Sequence, residues 1–327
     1  MKKQFLLLFF AVNLMSDITE REDVQIFIVN TAETTSLTRE EVKSFLNDVD
    51  FVERVIELRN NQPETTFSWN RYRNIFLNPQ RVNRGKDFVN KNFALLDKIE
   101  NDLGVSKFYI AAIVGAETNY GTNLGGFNPL DTIATLAFEI GSSFWKRELK
   151  ELLLLAKKQN INPKNYQSSW AGAIGIGQFI PSSYMAYGID YDGDQKVDLV
   201  NSLDDGLASV ANYLKVHGWS EDATTILEIS LNEQFMDLKD NKIKEIDLPF
   251  KVNNFNTSIP FNTLQSSGLS NEGYEGEATP LLVYEGITTK LFLGFDNFDV
   301  ITKYNRSSFY ALAIHQLAMA ISEKFDD

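Results

Sequence analysis

Between residues 20 and 100 apolar positions recur at helical spacing, most regularly over 40–59 and 87–103, with Pro63 and Pro79 as breaks. The spacing predicts a helical N-terminal region. A different pattern follows at Phe108–Val114, an unbroken apolar run that predicts a buried helix and that closes on Glu117 within "GAETNYG", residues 115–121. Further along, helices are predicted over 144–158 and over 206–216, the second stopping at Gly218 as a C-terminal glycine makes it. Between them lie a Gly-rich turn at 171–183 and an acidic loop at 190–205. From residue 227 to about 300, Asn, Thr and Gly interrupt short β-branched and aromatic runs such as 281–284 and 290–295, which predicts a small strand-rich insertion. A last helix carries Ala311, Ile314, Leu317 and Ile321 on one face.

The first residues read Met-Lys-Lys-Gln, then an apolar stretch from Phe5 to Val12, then polar residues from Ser16. That is the pattern of a secretory signal peptide over 1–16, too short to span a bilayer; an uncleaved anchor or a buried first helix stays open because no Ala-x-Ala cleavage signal follows. No later segment is long and apolar enough to cross a membrane. The 327 residues, 43% of them apolar, suit one large domain or two to three smaller ones around a packed core. A net charge of −13 without clusters of Lys and Arg excludes a nucleic-acid partner held through phosphates.

The absence of cysteine excludes a disulfide framework, a Cys-zinc site, a thiol nucleophile and a lipid-modified N-terminal Cys. With only His217 and His315, a His-based metal site or a Ser-His-Asp relay is not expected either. Carboxylates are left to carry acid–base chemistry.

Ile110, Ile113, Val114 and Glu117 share one helical face, so the Glu117 carboxyl is expected to be partly desolvated. Burial disfavours the charged form, and a carboxylic acid so held can give its proton to a leaving oxygen. Two plainer readings remain open at this stage: a buried ion pair with an unseen Lys or Arg, or escape to solvent where the helix frays. In Ser169–Tyr184 the glycines at 172, 175 and 177 let backbone come close to a ligand, Gln178 offers a donor and an acceptor, and Phe179 and Tyr184 offer flat faces. That mixture suits sugars, and equally a tight turn whose glycines serve helix packing. The acidic loop places Asp190, Asp192, Asp194 and the carbonyl of Lys196 as in the opening of an EF-hand loop for Ca²⁺, against the alternative of a solvated acidic loop. Position 6 is Gln195 where glycine is usual and position 12 is Asn201 where glutamate is usual, so Asp204 or Asp205 is expected to supply the missing acid. The ion's role would be structural, and no organic cofactor is expected.

"GAETNYG", "LDTIATLAF" (130–138), "AGAIGIGQFIPSSY", "DYDGDQKVDL", "SVANYLKVHGW" (209–219) and "YNRSSFYALAIHQL" (304–317) occur in the order seen in the lytic murein transglycosylase B family, which the chain resembles from about Trp69 to its C-terminus. The resemblance implies a mainly α fold of the α+β kind: a lysozyme-like helical core with a helical N-terminal domain and a small β-rich inserted domain. The chain then divides into a leader at 1–16, a helical N-terminal region at 17–104, the core at 105–226, the β-rich domain at 227–300 and a segment at 301–327 that returns to the core. The family acts on peptidoglycan glycan strands. By resemblance Glu117 matches its sole catalytic acid–base, cleaving the N-acetylmuramic acid–N-acetylglucosamine bond with a 1,6-anhydromuramic end as product; local reading finds no second acid beside it. Matching positions give a sugar-binding wall of Tyr72, Ser169, Gln178, Phe179, Tyr213, Tyr304, Asn305 and Tyr310, with Tyr213 open to a core-packing role.

One departure stands out. Relatives commonly carry an Arg pair after the "LATLAF" helix, near the peptide stem or the glycan, and here Glu139–Ser143 takes that place. A soluble periplasmic monomer is expected, without a lipid anchor. A muramidase or a non-catalytic glycan-binding protein on the same fold is the rival reading.

Overall fold

A computed structural model describes residues 18–60, 67–272 and 276–325, so the leader expected over 1–16 and the break at Pro63 lie outside the described residues. Three helices open the chain: α1 (Glu22–Thr34), α2 (Arg39–Asn47) and α3 (Glu53–Asn60). Helix α2 starts at a capping box, in which Thr38 and Glu41 satisfy each other's backbone N–H groups. The stretch 40–59, one helical run by its spacing, is thus two helices. The reason is tertiary: the N–H groups of Asp50 and Val52 donate to the Asp131 carboxylate (2.9 Å) and the Thr135 hydroxyl (3.0 Å) instead of continuing the helical ladder.

Helices α4 (Trp69–Phe76), α5 (Pro79–Lys91) and α6 (Phe93–Leu103) follow, with Asn78 and Pro79 forming the cap and first residue of α5. The stretch 87–103 is also divided, at Asn92, which leaves helical geometry while its side-chain amide donates to Phe88 O (2.9 Å). Helix α7 (Lys107–Thr118) is buried at every position from Tyr109 to Gly115. It is therefore a central helix that is apolar all round, where the sequence pattern suggested one buried face.

Helices α8 (Pro129–Phe138) and α9 (Ser143–Gln159) pack on each other, α10 (Pro181–Tyr187) packs on α9 and on α11 (Leu203–Val216), and α11 packs on α7; the Gly-rich turn precedes α10 and the acidic loop joins α10 to α11. Helix α11 begins three residues before the expected Gly206 because Ser202 caps the N–H of Asp205 (3.2 Å). The inserted segment holds β1 (Ile226–Ile229), α12 (Asp240–Ile243), β2 (Ile259–Pro260), α13 (Phe261–Ser266), β3 (Glu277–Glu285) and β4 (Thr288–Gly294). The strands form one antiparallel sheet in the order β1-β4-β3-β2, with Leu281 opposite Phe292 and a two-residue turn at Gly286, φ +65°.

Both faces of this sheet are covered, which explains why 281–284 reads as a continuous apolar run. Leu281, Val283 and Phe292 join the main helical core, while Leu282, Leu291 and Leu293 build a second, smaller core with Ile259, Phe261 and Leu264. The hairpin is tied to α4 where Trp69 Nε1 donates to Glu285 (2.8 Å) and Gly286 N–H donates to Asn70 (2.9 Å). Helix α14 (Asp296–Tyr304) runs across residue 300, where the strand-rich segment was expected to end, and packs with α15 (Ser308–Ser322) back onto the core.

Candidate active site

Glu117 lies on the last turn of α7, half-buried, where the central helix reaches the surface. Three groups fix that turn. The Thr118 hydroxyl bonds Ile176 O (2.9 Å) and accepts from Gly121 N–H (3.0 Å), tying the helix end to the Gly-rich turn. Arg81 reaches across from α5 and donates to Gly115 O (2.6 Å), a cation at the carbonyl end of the helix. Gly115 has no room for a side chain, since a Cβ there would fall 2.5 Å from the Tyr120 ring.

From α15, the Tyr310 hydroxyl donates to Glu117 Oε1 at 2.6 Å. Burial first, and then the negative charge of Glu117, hold the Tyr310 phenol well above its ordinary range. The hydroxyl therefore keeps its proton and serves as a fixed donor to the carboxyl. Tyr304 is pushed up by the same two causes in the same order, and its hydroxyl donates to Gly177 O. Its ring meets Tyr213 edge-on at 4.8 Å and Phe179 at 5.8 Å.

Tyr213 is 8% exposed, bonds Lys303 O (2.6 Å) and stacks on His217 at 4.1 Å, so it packs against its neighbours and still keeps an edge at the surface. Tyr72 is buried in an aromatic cluster with Trp69, Phe76 and Phe309, close enough for its phenol to add to the electrostatic pressure on Tyr310. Asn305 is half-buried at the end of α14, its carbonyl accepting from Ser307 N–H (2.7 Å). Ser169 is engaged inside its own loop, and Gln178 both inside it and, at 3.5 Å, with Leu124 O. The Ser169 hydroxyl accepts from the N–H groups of Ala171 (3.3 Å) and Ala173 (3.1 Å), and the Gln178 amide donates to Gly175 O (3.1 Å) from a backbone at φ +52°.

The glycines of that loop make room for the protein's own atoms. A Cβ on Gly175 would lie 2.3 Å from Leu199 O, and one on Gly177 would lie 2.7 to 2.9 Å from Val210, Phe179 and the Tyr304 hydroxyl. Between ligand approach and helix packing, the two readings of the sequence, the geometry favours packing. Its effect on the site is still direct, because this close fit brings Phe179 and Tyr304 together behind Glu117.

In the acidic loop, carboxylate oxygens of Asp190, Asp192 and Asp194 lie within 4.8 Å of one another, all exposed. Asp190 accepts from the N–H groups of Gly193 (2.7 Å) and Gln195 (2.8 Å), and Gln195 takes φ +73°, the left-handed turn that an EF-hand loop needs at its sixth position. Hard oxygen donors in this geometry fit a Ca²⁺ ion. Asp205 stands outside the group: it is 1% exposed, and its two oxygens accept from Tyr191 N–H (2.7 Å) and Asp198 N–H (2.8 Å). It pins the loop to α11, which answers the expectation of a closing acid with a backbone clamp. Burial raises the Asp205 carboxyl above its usual range, with those backbone hydrogen bonds opposing.

Several supporting groups had no signal in the sequence reading. Arg81 and Thr118 sit at unremarkable positions of helical stretches, and Glu148, 3% exposed on α9, accepts from the N–H (3.0 Å) and hydroxyl (2.8 Å) of Ser182 at the start of α10. The pairing of Tyr310 with Glu117 is the most consequential of these, because Tyr310 was assigned to the sugar wall alone. Among the described residues, no helix is long and apolar enough to cross a membrane.

Residues 19–319 match the family described as "Transglycosylase SLT domain". Over 320 residues, 94% of this chain and 84% of the relative, the sequence is 31% identical to membrane-bound lytic murein transglycosylase B of Escherichia coli K12. The structure is similar to that of catenated lytic transglycosylase SltB1 from Pseudomonas aeruginosa, with a TM-score of 0.83 and 29% identity over 94% of this chain and 99% of that one. It is also similar to Escherichia coli lytic transglycosylase Slt35 in complex with calcium, with a TM-score of 0.81 and 30% identity over 94% of this chain and 95% of that one.

Proposed function

The chain belongs to the transglycosylase SLT domain family and is a peptidoglycan lytic transglycosylase with a lysozyme-like fold; from that premise we propose that Glu117 is its single general acid and base. One observation carries the proposal: a carboxyl at the mouth of a buried helix, held at 2.6 Å by a tyrosine hydroxyl that keeps its proton, against a wall of Tyr304, Tyr213 and Phe179.

In its acid form Glu117 gives its proton to the glycosidic oxygen between N-acetylmuramic acid and N-acetylglucosamine. The C1–O bond breaks and the N-acetylglucosamine side leaves with a free 4-hydroxyl. The Glu117 carboxylate then takes the proton of the C6 hydroxyl, whose oxygen bonds to C1. The product is a 1,6-anhydromuramic end, formed without water, and the carboxyl returns to its starting state. Between the two steps the positive character at C1 is shared with the substrate's own N-acetyl group. This scheme needs one carboxylate where most glycosidases use two. Tyr310 orients the carboxyl through both steps, while Tyr72, Ser169, Gln178, Phe179, Tyr213, Tyr304 and Asn305 form the groove that holds the sugars.

The acidic loop would bind Ca²⁺ through Asp190, Asp192, Asp194 and the carbonyl of Lys196, with Asp205 acting from behind through the loop backbone. The calcium complex of the relative Slt35 supports this reading. The ion would hold the loop, and through it the start of α11, against the Gly-rich turn. The enzyme would work as a soluble periplasmic monomer after export.

Incubation of purified sacculi with the protein, followed by mass spectrometry of the released muropeptides, tests the central claim. Anhydro ends are expected. Reducing ends would make the protein a muramidase, and no release would leave a binding protein.

A further inference from the structure

The chain leaves α7 through three consecutive residues in the left-handed region: Asn119 at φ +50°, Tyr120 at φ +61° and Gly121 at φ +79°. Glycine takes such a conformation freely and asparagine tolerates it, whereas a bulky side chain is disfavoured there because its Cβ crowds the next carbonyl oxygen. Tyr120 therefore holds a conformation that its own residue type opposes, three positions after Glu117. Such a conformation persists only where the surroundings over-determine it.

The seat of the ring supplies that constraint. On α7 a Cβ at Gly115 would fall 2.5 Å from the Tyr120 ring, and on α5 a Cβ at Gly85 would fall 2.5 Å from the Tyr120 hydroxyl. The same Gly85 Cβ would meet Ile321 of α15 at 2.5 Å, so the three helices, which also pack on one another in pairs, come together around this side chain. Phe88 lies against the ring with centroids 5.4 Å apart, and the hydroxyl donates to Arg81 O (3.1 Å). Arg81 in turn sends its guanidinium back to Gly115 O. Burial raises the Tyr120 phenol above its ordinary range, with the Arg81 charge opposing, so the hydroxyl keeps its proton and remains a donor. The three helices are the ones that carry Arg81, Glu117 and Tyr310.

We propose that Tyr120 is a positioning residue of the reaction: seated between Gly85 and Gly115, it fixes the end of α7 against α5 and α15 and so holds Glu117 at hydrogen-bonding distance from Tyr310. It acts through Glu117 and not on the substrate. The proposal rests on the lytic transglycosylase reading, since it concerns the placement of the acid which that reading assigns. A turn that served only to end the helix would need no tyrosine, because glycine at 120 would make the same left-handed turn without strain. What the tyrosine adds is the link from α7 to α5 and α15. That link matters because one bond of 2.6 Å joins Glu117 to Tyr310 across two helices, and a separation about 1 Å greater is no longer a hydrogen bond.

Kinetics of anhydro-end release from glycan strands test the assignment, at a temperature where circular dichroism shows each variant folded. Tyr120→Leu, which empties the slot, is expected to lower kcat roughly 10- to 100-fold, the scale of an ångström-level misplacement, with KM unchanged. The alkaline limb of its kcat–pH profile should move to higher pH, because the Tyr310 hydroxyl favours the Glu117 carboxylate and is held less closely. Leu282→Ala, in the smaller core of the inserted sheet, is the control: it should lower Tm and leave both kcat and the pH profile as they are. Gly85→Ala keeps the test valid if Tyr120→Leu folds poorly. Its methyl displaces the ring, so kcat should fall, and adding Tyr120→Phe, which removes the hydroxyl that the methyl strikes, should restore part of it. Wild-type kcat and pH profile in Tyr120→Leu, or in Gly85→Ala, overturn the proposal. So does a fall in kcat that Leu282→Ala reproduces at equal loss of Tm, which would make Tyr120 purely structural. Absence of anhydro ends with the wild-type protein would instead overturn the transglycosylase reading itself.

Discussion

The acidic loop at 190–205 satisfies most of its polar groups within its own span, with Asp190 on Gly193 and Gln195, Asp194 on Lys196 and Asp198 on Val200 and Asn201. Glu117 is completed from far away. Its tyrosine partner lies 193 positions further along the chain, and the cation at its helix end comes from α5. The first region is a local device in which three exposed carboxylates lie within 4.8 Å of one another, the arrangement proposed to hold a cation. The second is a tertiary device whose carboxyl is placed by a packed core. A local device is tuned by ions and turn chemistry, and a tertiary one by packing and by single distant hydroxyls.

The largest expected effect separates the two regions most sharply. Glu117→Gln should lower release of anhydro muropeptides by roughly 10²–10⁴-fold, the range for a lost general acid, while sacculus binding stays intact in a pull-down. Loss of binding would give Glu117 a structural role instead. Next comes Tyr310→Phe, which removes one hydroxyl from a buried ring. A hydrogen bond to a charged group is worth about 1.5–3 kcal/mol, so kcat should fall roughly 10- to 100-fold with unchanged sacculus binding. An unchanged kcat would show that the Glu117 carboxyl is oriented without that bond.

Calcium removal addresses the other region. At an ion concentration about 100 times Kd, chelation should cost roughly 2.7 kcal/mol of stability, read as a lower Tm by calorimetry. A Tm indifferent to chelator would mean that the loop holds no ion.

His315, on the same helix as Tyr310, makes the core sensitive to protons. Burial lowers its imidazole to about 4, and Tyr109 lies at 2.6 Å from Nδ1. The unfolded chain takes up a proton below about 6.5 and the folded chain does not until about 4, so stability is full above 6.5 and lost as pH falls between those values. About 2 kcal/mol should disappear between pH 6.5 and 5, and His315→Gln should flatten that slope in a Tm series. The smallest effect lies at Gln195, held at φ +73°. Gln195→Gly relieves that backbone and should raise stability by up to about 1 kcal/mol, visible in a denaturant titration with calcium present.

Helix existence and the switch to strands at residue 227 were legible in apolar spacing, because each depends on neighbours within a few positions. Helix ends were less so. The breaks after Asn47 and at Asn92 arise from bonds to other elements or from a local side chain, and the face of α7 could not be told because every face of it is covered. In the site, the carboxyl at the end of an apolar run pointed to Glu117, whereas the bonds that hold Ser169 and Gln178 within the Gly-rich turn, and the one from Gln178 to Leu124 O, could not be read from spacing.

By itself the sequence determined which chemistry was available: no thiol, two imidazoles, a lone acid at the close of an apolar helix and three aspartates in alternation. Those are properties of residue type and short spacing. Only the tertiary structure decided that Tyr310 holds Glu117, that Arg81 and Thr118 fix its turn, that the glycines admit the protein's own atoms, and that Tyr120 is seated between Gly85 and Gly115. Such contacts join positions far apart in the chain, and chain proximity carries no information about them until the core has brought the helices together.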